Sequence, residues 1–455
     1  VTNTQVAVDL FNSTIRTTNS DSLITRYYNG VKLASSGMGR TPPAAGFAPA
    51  HDYPELDDRW EEYFSVARAA WRPVRPYQDH DLALLDLMRN PATRTTKTTA
   101  SLLMVARAVT HIHRTGERIL IFTPSSGNKA IALRDAVARA LQLGLVAPDQ
   151  LRIATLTPLS TLHKFRRSYL TESDELRRLN PVMVYSGGTA SDVKEIGTEF
   201  VAAARQRADD LRIWYSLDIN NYKIADACRA FFEHEFGGRP RGRRLHAHAV
   251  SSAYGLLGYQ HGLDTMARVG ISVSQPGFLL VQHMATSDMV RHYLREGVGT
   301  DRQVDYHLDA ATSLLCQDAS PHFPQATWSV GENLEPTFYT NNPPTAPEMT
   351  RLISTHGGSA IVVSLYECLT RYATVRNRLG GAGCALPADP RTLGEWSLVM
   401  GLTGVLNAVD RGLVGNFDEI VLHGSGLYFL PGEQGIELGN VTAVDNADDV
   451  LRTVL

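Results

Sequence analysis

A chain of 455 residues, 43% hydrophobic and 20% charged, is too long for one simple core, and its composition is that of a globular protein built from two or more packed layers. The formal net charge of −3 argues against a general nucleic-acid binder. The cysteines Cys228, Cys316, Cys368 and Cys384 are widely separated and show no C-x-x-C spacing, so no zinc site and no disulfide framework is expected.

Reduced thiols, no apolar run near the roughly 20 residues that span a bilayer, and a polar start at Thr2 and Asn3 with no signal-peptide core give the expectation of a soluble, cytoplasmic protein without membrane, metal or nucleic-acid partners. The basic run Arg239 to Arg244 reads as a solvated loop.

In chain order, an amphipathic pattern near Val6 to Phe11 opens the sequence. It gives way to a Gly/Pro/Ala-rich stretch, SSGMGRTPPAAGFAPA, which cannot be regular throughout and reads as an arm or a lid. Asp57 to Ala70 reads as a helix and Leu82 to Met88 as a short element. Ala100 to Arg114 has helical periodicity. Arg118 to Thr123 (RILIFT) is a buried strand, Pro124 to Asn128 a turn, and Ala130 to Leu141 a helix. Strands at Leu151–Leu156, Pro181–Tyr185, Leu211–Tyr215, Leu245–Val250, Phe278–Gln282, Ala360–Val363 and Glu419–Leu422 alternate with helices at Lys194–Arg207, Tyr222–Phe236, Leu256 onward, Leu365–Arg378 and Leu398–Val414. Residues 316–347 read as irregular and surface-wrapping. This alternation predicts an α/β fold of doubly wound, mostly parallel sheets, whose ligands sit beyond the carboxyl ends of the strands.

Chemistry concentrates in three small-residue turns after strands, SSGN at Ser125–Asn128, SSAYG at Ser251–Gly255 and HGSG at His423–Gly426, and in one lysine, Lys97, in the run TRTTKTTASLL. A lone lysine is usually solvated, but this one stands just before an apolar helix, where burial would leave its amine neutral enough to attack a carbonyl. The first two turns open helices, and a helix N-terminus is a ready anion site.

The order of these pieces resembles the fold-type II pyridoxal-phosphate enzymes, in the threonine synthase branch. NPATRTTKTTASLL resembles the segment that carries that family's Schiff-base lysine, SSGNKAIAL its Ser/Thr-Ser-Gly-Asn-Thr-Gly segment, and HAVSSAYGLLGYQHG the segment of its Thr-Gly-Asn-Phe-Gly phosphate turn. VYSGGTASDVKEI, LDINNYKIADACRAFFEHEF, EWSLVMGLTGVLNAVDRGLV and IVLHGSGLYF are similar to further family stretches in the same order, so the resemblance runs from about Leu85 to Phe429. It implies two doubly wound α/β domains: an N-terminal extension at 1–80, a large cofactor domain at 81–110 and 206–455, and a small domain at 111–205.

The resemblance further implies pyridoxal 5'-phosphate carried on Lys97, with Asn128 on its phenolic oxygen and Ser251, Ser252, Ala253, Tyr254 and Gly255 around its phosphate. Ser125, Ser126 and Gly127 would hold the substrate carboxylate. His423 would meet the ring nitrogen, where the family has a Thr or Ser hydroxyl. Glu395 and Ser397 lie near the cofactor in the analogy. The implied activity is a β- or γ-elimination or replacement on an amino acid, diverged from threonine synthase, in a homodimer. The chain also departs from the family pattern. Lys129 stands in place of threonine, one extra residue separates the proline from Lys97, and Ser252-Ala253 replaces Gly-Asn. These departures leave a second reading open, a cofactor-free protein of the same fold acting as a binding or regulatory module. A nucleotide-binding enzyme finds no G-x-x-x-x-G-K-[ST] or G-x-G-x-x-G in the right context.

Overall fold

The computed structural model describes residues 22–36, 38, 46–125, 127–189, 192–205, 207, 210–216, 218–300, 303–426 and 434–455. The element expected near Val6–Phe11, and Ser126 of the first turn, lie outside them.

The strands are β1 (Ala70–Tyr77), β2 (His80–Asp86), β3 (Arg118–Pro124), β4 (Leu151–Pro158), β5 (Val182–Tyr185), β6 (Leu211–Tyr215), β7 (Arg244–Ala249) and β8 (Gly277–His283), then the short β9 (His307–Asp309), β10 (Leu314–Cys316) and β11 (Ala326–Thr327), followed by β12 (Gly358–Val363), β13 (Glu419–Gly424) and β14 (Thr442–Ala443). One sheet has the order β1-β2-β13-β7-β8-β12, a second the order β14-β5-β4-β3-β6, and β9 to β11 form a small antiparallel sheet. Only the β1–β2 hairpin breaks the parallel pairing of the first sheet. Every pairing in the second is parallel.

Near-continuous apolar strands such as RILIFT and GFLLVQH suit a parallel sheet covered on both faces. Their side chains alternate between two cores, as the two-residue period of a strand requires. Leu82, Leu84, Leu279 and Val281 face one core, with the helices Leu365–Gly381 and Ser397–Asp410. Ala83, Leu85, Phe278 and Leu280 face the other, with Thr98–Thr115, Ile219–Phe236 and Tyr254–Arg268. Ile119, Ile121 and Ile153 of the second sheet belong to that same core, so one continuous apolar layer lies between the two sheets.

The expected division at residue 205/206 is corrected by this topology. Strand β6 pairs with β3 from Arg118↔Leu211 to Phe122↔Tyr215. The chain also returns late, with β14 on β5 and Val444, Val450 and Val454 in the core of the second sheet. The physical reason is burial: Leu211 and Ile213 find their apolar partners, Leu120 and Phe122, only there. The start of the described chain is an apolar cap, with Leu23, Ile24, Tyr27, Val31, Tyr63 and Phe64 buried in the central core.

Among the described residues, no helix is long and apolar enough to cross a membrane, and no group of three or more His, Cys, Asp or Glu residues is arranged to hold a metal. All four cysteines are free thiols.

Candidate active site

A cavity of about 280 Å³ opens at the carboxyl ends of β3, β7 and β13. Lys97, Ser125, Asn128 and all of Ser251 to Gly255 line it. Residues some 150 positions apart in sequence are thus brought to one place, where ligands bind in open parallel sheets.

Lys97 is the N-cap residue of the helix Thr98–Thr115. The turn before it is built by Asn90, whose Nδ2 donates to the Thr95 carbonyl at 3.1 Å and whose Oδ1 accepts from the Thr93 N–H at 3.1 Å and from the Arg94 N–H. Arg94 has φ +47°, the left-handed conformation, and this tight turn absorbs the extra residue between Pro91 and Lys97. Burial lowers the Lys97 pKa, with Asp226 opposing the shift and Arg229 adding to it. Its Nζ lies 4.9 Å from the centroid of the Tyr222 ring. The amine is therefore biased toward the neutral, nucleophilic form.

In the SSGN turn, the Ser125 Oγ accepts from the N–H groups of Gly127 (3.3 Å) and Ala130 (3.2 Å), satisfying early donors of the helix Asn128–Gln142. Gly127 has φ +118°, a conformation that favours glycine, and a Cβ there would lie a close 3.3 Å from the Lys164 Cδ. The Asn128 Nδ2 donates to Glu395 Oε2 at 3.3 Å, and its Oδ1 is buried without a hydrogen-bond partner.

In the SSAYG turn, Ala253 is the N-cap of the helix Tyr254–Arg268 with φ +51°, ψ +18°, and no side chain caps that end. The residue that takes the left-handed conformation is therefore Ala253, where the family motif has an asparagine, and not Ser252. The first N–H groups of the helix point at the cavity end with no intrahelical acceptor. Gly255 is held glycine by Arg229, whose Nη1 would lie 2.4 Å from a Cβ.

His423 does not reach the cavity, and the ring-nitrogen role expected for it is corrected. Its Nδ1 is 3.1 Å from Arg229 Nη1 and its Nε2 is 2.8 Å from His246 Nδ1, so both ring nitrogens are engaged. Burial, then His246 and Arg229, push its pKa well down. The parallel register Leu422↔Ala247 sets His423 beside His248 on the face packed by Tyr259. Beyond the strand end, Ser425 lines the cavity and its Oγ is buried with no partner. This hydroxyl stands two residues later in the same HGSG turn.

The sequence reading missed other cavity residues. His248 lines it with both ring nitrogens unpartnered, and burial pushes its pKa well down. Its signal was its place three residues before SSAYG. Thr337 to Thr340 and Pro344 form a wall, with the Thr340 N–H donating to Ser251 Oγ at 3.4 Å and Thr345 Oγ1 to the Ser252 carbonyl at 2.6 Å. Lys129 and Lys194 also line the cavity. Burial brings the Lys129 amine down to about 7, helped by Lys194 and Lys97.

Below the Asn128 turn lies a buried triad. Lys164 Nζ is 3.1 Å from Glu335 Oε1 and 3.3 Å from Glu395 Oε2. Glu335 also accepts from the N–H groups of Thr337 (3.2 Å) and Trp396 (2.8 Å), and Ser397 Oγ donates to Glu395 Oε1. Burial pushes the Glu395 carboxyl up to about 7 against the pull of Lys164.

The architecture that places this site is shared with solved structures. Threonine synthase from Escherichia coli superposes with a TM-score of 0.53 at 14% identity, covering 95% of this chain and 97% of that one. A PLP-bound threonine synthase from Brucella melitensis gives a TM-score of 0.49 at 14% identity, covering 100% and 91%. An L-serine ammonia-lyase from Rhizomucor miehei gives 0.46 at 11%, covering 85% and 99%. No curated protein matches by sequence. The fold is thus shared with the Escherichia coli threonine synthase, a two-sheet, mostly parallel α/β architecture. The chain itself belongs to DUF6002, a family of unknown function, which it matches over residues 19–455.

Proposed function

We propose that this chain is a pyridoxal-phosphate enzyme that carries out β- or γ-elimination or replacement on an amino acid. The observation that supports this best is the meeting, in one cavity, of the Lys97 amine, the uncapped helix N-terminus at Ala253–Gly255 and the Asn128 side chain. The residues present fit the cofactor. Orphaned buried atoms on Ser425, His248 and Asn128 supply polar partners for a heteroaromatic ring, and the helix end supplies N–H donors and a favourable dipole for a phosphate. The two departures that favoured a cofactor-free module weigh less here. The turn forms with Ala253 in the left-handed conformation, and Ser425 offers the hydroxyl that His423 cannot.

When bound, the cofactor supplies an electron-withdrawing ring that stabilises negative charge at the substrate's Cα. Lys97, its amine pushed toward the neutral form by burial, would carry the cofactor and then take the Cα proton as general base. Gly127 and the first turn of the helix Asn128–Gln142 would hold the substrate carboxylate through backbone N–H groups. Ser425 or His248 would meet the ring nitrogen, and Asn128 the ring oxygen. The wall at Thr337–Thr340 would keep water from the reacting carbon.

Adding pyridoxal 5'-phosphate to the purified protein should produce a visible absorption band that Lys97→Ala abolishes, with turnover down by at least ~10³-fold. A panel of amino acids should then shift that band for the true substrate. No band in the wild-type protein would overturn the assignment.

A further inference from the structure

We propose that Glu395 is a positioning residue that decides which end of the Asn128 amide faces the cofactor, and that it does so by carrying a proton when the cofactor is bound. This rests on the cofactor assignment above.

The geometry begins with an orphan. Asn128 Nδ2 donates to Glu395 Oε2 at 3.3 Å, leaving Oδ1 buried with no partner beside the cavity. In this orientation Asn128 offers an acceptor to whatever occupies the cavity. A phenolic ring oxygen that has lost its proton is also an acceptor, and two buried acceptors facing each other leave both unsatisfied. The two ends of a carboxamide have the same shape, so turning the group over needs no new space. It needs only a donor at Glu395. With a proton on Oε2, Glu395 donates to Asn128 Oδ1, and the Asn128 NH₂ group turns to the ring oxygen. One proton satisfies the orphan and converts the cavity face from acceptor to donor.

The surroundings make that proton easy to hold. One ammonium, Lys164, serves two carboxylates, Glu335 at 3.1 Å and Glu395 at 3.3 Å, and all three side chains are buried. The triad carries one excess negative charge, which a single proton removes. Glu335 keeps the stronger claim on Lys164, because Thr337 and the Trp396 N–H also donate to it. Among the described residues Glu395 has only Ser397 and Asn128 besides, and burial with the nearby Glu335 charge already brings its carboxyl to about 7. The other titratable groups that feel these carboxylates are Lys97, from the helix Thr98–Thr115, His163, beside Lys164, and His283, at the end of β8. Among the described residues, none of the three bonds to Glu395.

The test compares the affinity of the full chain for pyridoxal 5'-phosphate from pH 6 to pH 9, read from the visible band, in wild type and Glu395→Gln. A glutamine there is a permanent, uncharged donor to Asn128 Oδ1. The Glu395 charge also raises the Lys97 amine, so the Lys97 titration is determined separately in each protein and subtracted. Wild-type affinity should fall relative to Glu395→Gln by about tenfold per pH unit above the break, because binding takes up one proton. Glu335→Gln, which removes the competing carboxylate from Lys164, should move the wild-type break to lower pH, and it carries the test if Glu395→Gln does not fold. Equal pH slopes in wild type and Glu395→Gln, an unmoved break in Glu335→Gln, or a folded Glu395→Gln that binds no cofactor at any pH would each overturn the positioning role while leaving the cofactor assignment standing. A wild-type protein that binds no cofactor at any pH removes both.

Discussion

Single residues at this site carry conflicts between local preference and function. Ala253 holds a left-handed conformation that a residue with a Cβ adopts at a cost of about 1–2 kcal/mol. Ala253→Gly should therefore raise stability by roughly 1 kcal/mol, seen as a higher denaturant midpoint, and a lower midpoint would show the turn to be unstrained. Lys129 makes a second conflict. Its amine falls from an ordinary 10.5 to about 7 in the folded chain, so between these values the unfolded state binds more protons. Stability from this residue is complete only above 10.5 and is lost as pH falls toward 7. Lys129→Met should raise the thermal midpoint at neutral pH and flatten its climb between pH 7 and pH 10. A wild-type-like climb in the variant would place the amine in solvent. His423 shows why motif position alone misassigns a role: the register of β13 against β7 turns its ring toward Arg229 and His246, and only the three-dimensional strand end reveals Ser425.

At the level of elements, the helix Tyr254–Arg268 must approach Arg229 closely to present its N-terminus. Gly255→Ala puts a methyl 2.4 Å from that guanidinium. The overpacking should cost about 1–3 kcal/mol and weaken pyridoxal-phosphate binding, measured together by calorimetry and by the visible band; an unchanged affinity would detach this helix end from the phosphate. Elements with long apolar or amphipathic periods were legible in the sequence. The strand at Leu211–Tyr215 was read to the residue, and the helix Thr98–Thr115 within two residues at its start and one at its end. Strand β1 was not legible, because Pro73 and Pro76 speak against a strand in sequence, yet they are tolerated on this edge. The helices Tyr28–Ser36, Ala346–His356 and Ala447–Val454 were missed for want of a long apolar stripe. Lys164 and Glu335 carried no local signal at all, since their meaning lies only in their meeting across 171 residues.

Across the whole molecule, the triad of Lys164, Glu335 and Glu395 joins the segment after β4 in the second sheet to the segments that flank β12 and the helix Ser397–Asp410 in the first. Removing the shared cation strands two carboxylates in a buried place. Lys164→Met should cost about 3–5 kcal/mol, with the loss eased at acid pH where the carboxylates take up protons; a loss that does not depend on pH would point to packing alone. The second sheet carries a different consequence. Its strands β3 to β6 are complete by Tyr215, but its edge strand β14 and the helix Ala447–Val454, which covers Phe200 and Val201, come more than 200 residues later. A ribosome releases that edge well after the rest of the sheet, at roughly 5–20 residues per second. For ten seconds or more the half-built sheet must wait with an apolar flank uncovered. The demanding step in making this protein is thus the return of Thr442–Ala443 and Ala447–Val454 to a sheet laid down more than 200 residues before them, a long-range closure of the kind that folds slowly and exposes the chain to aggregation.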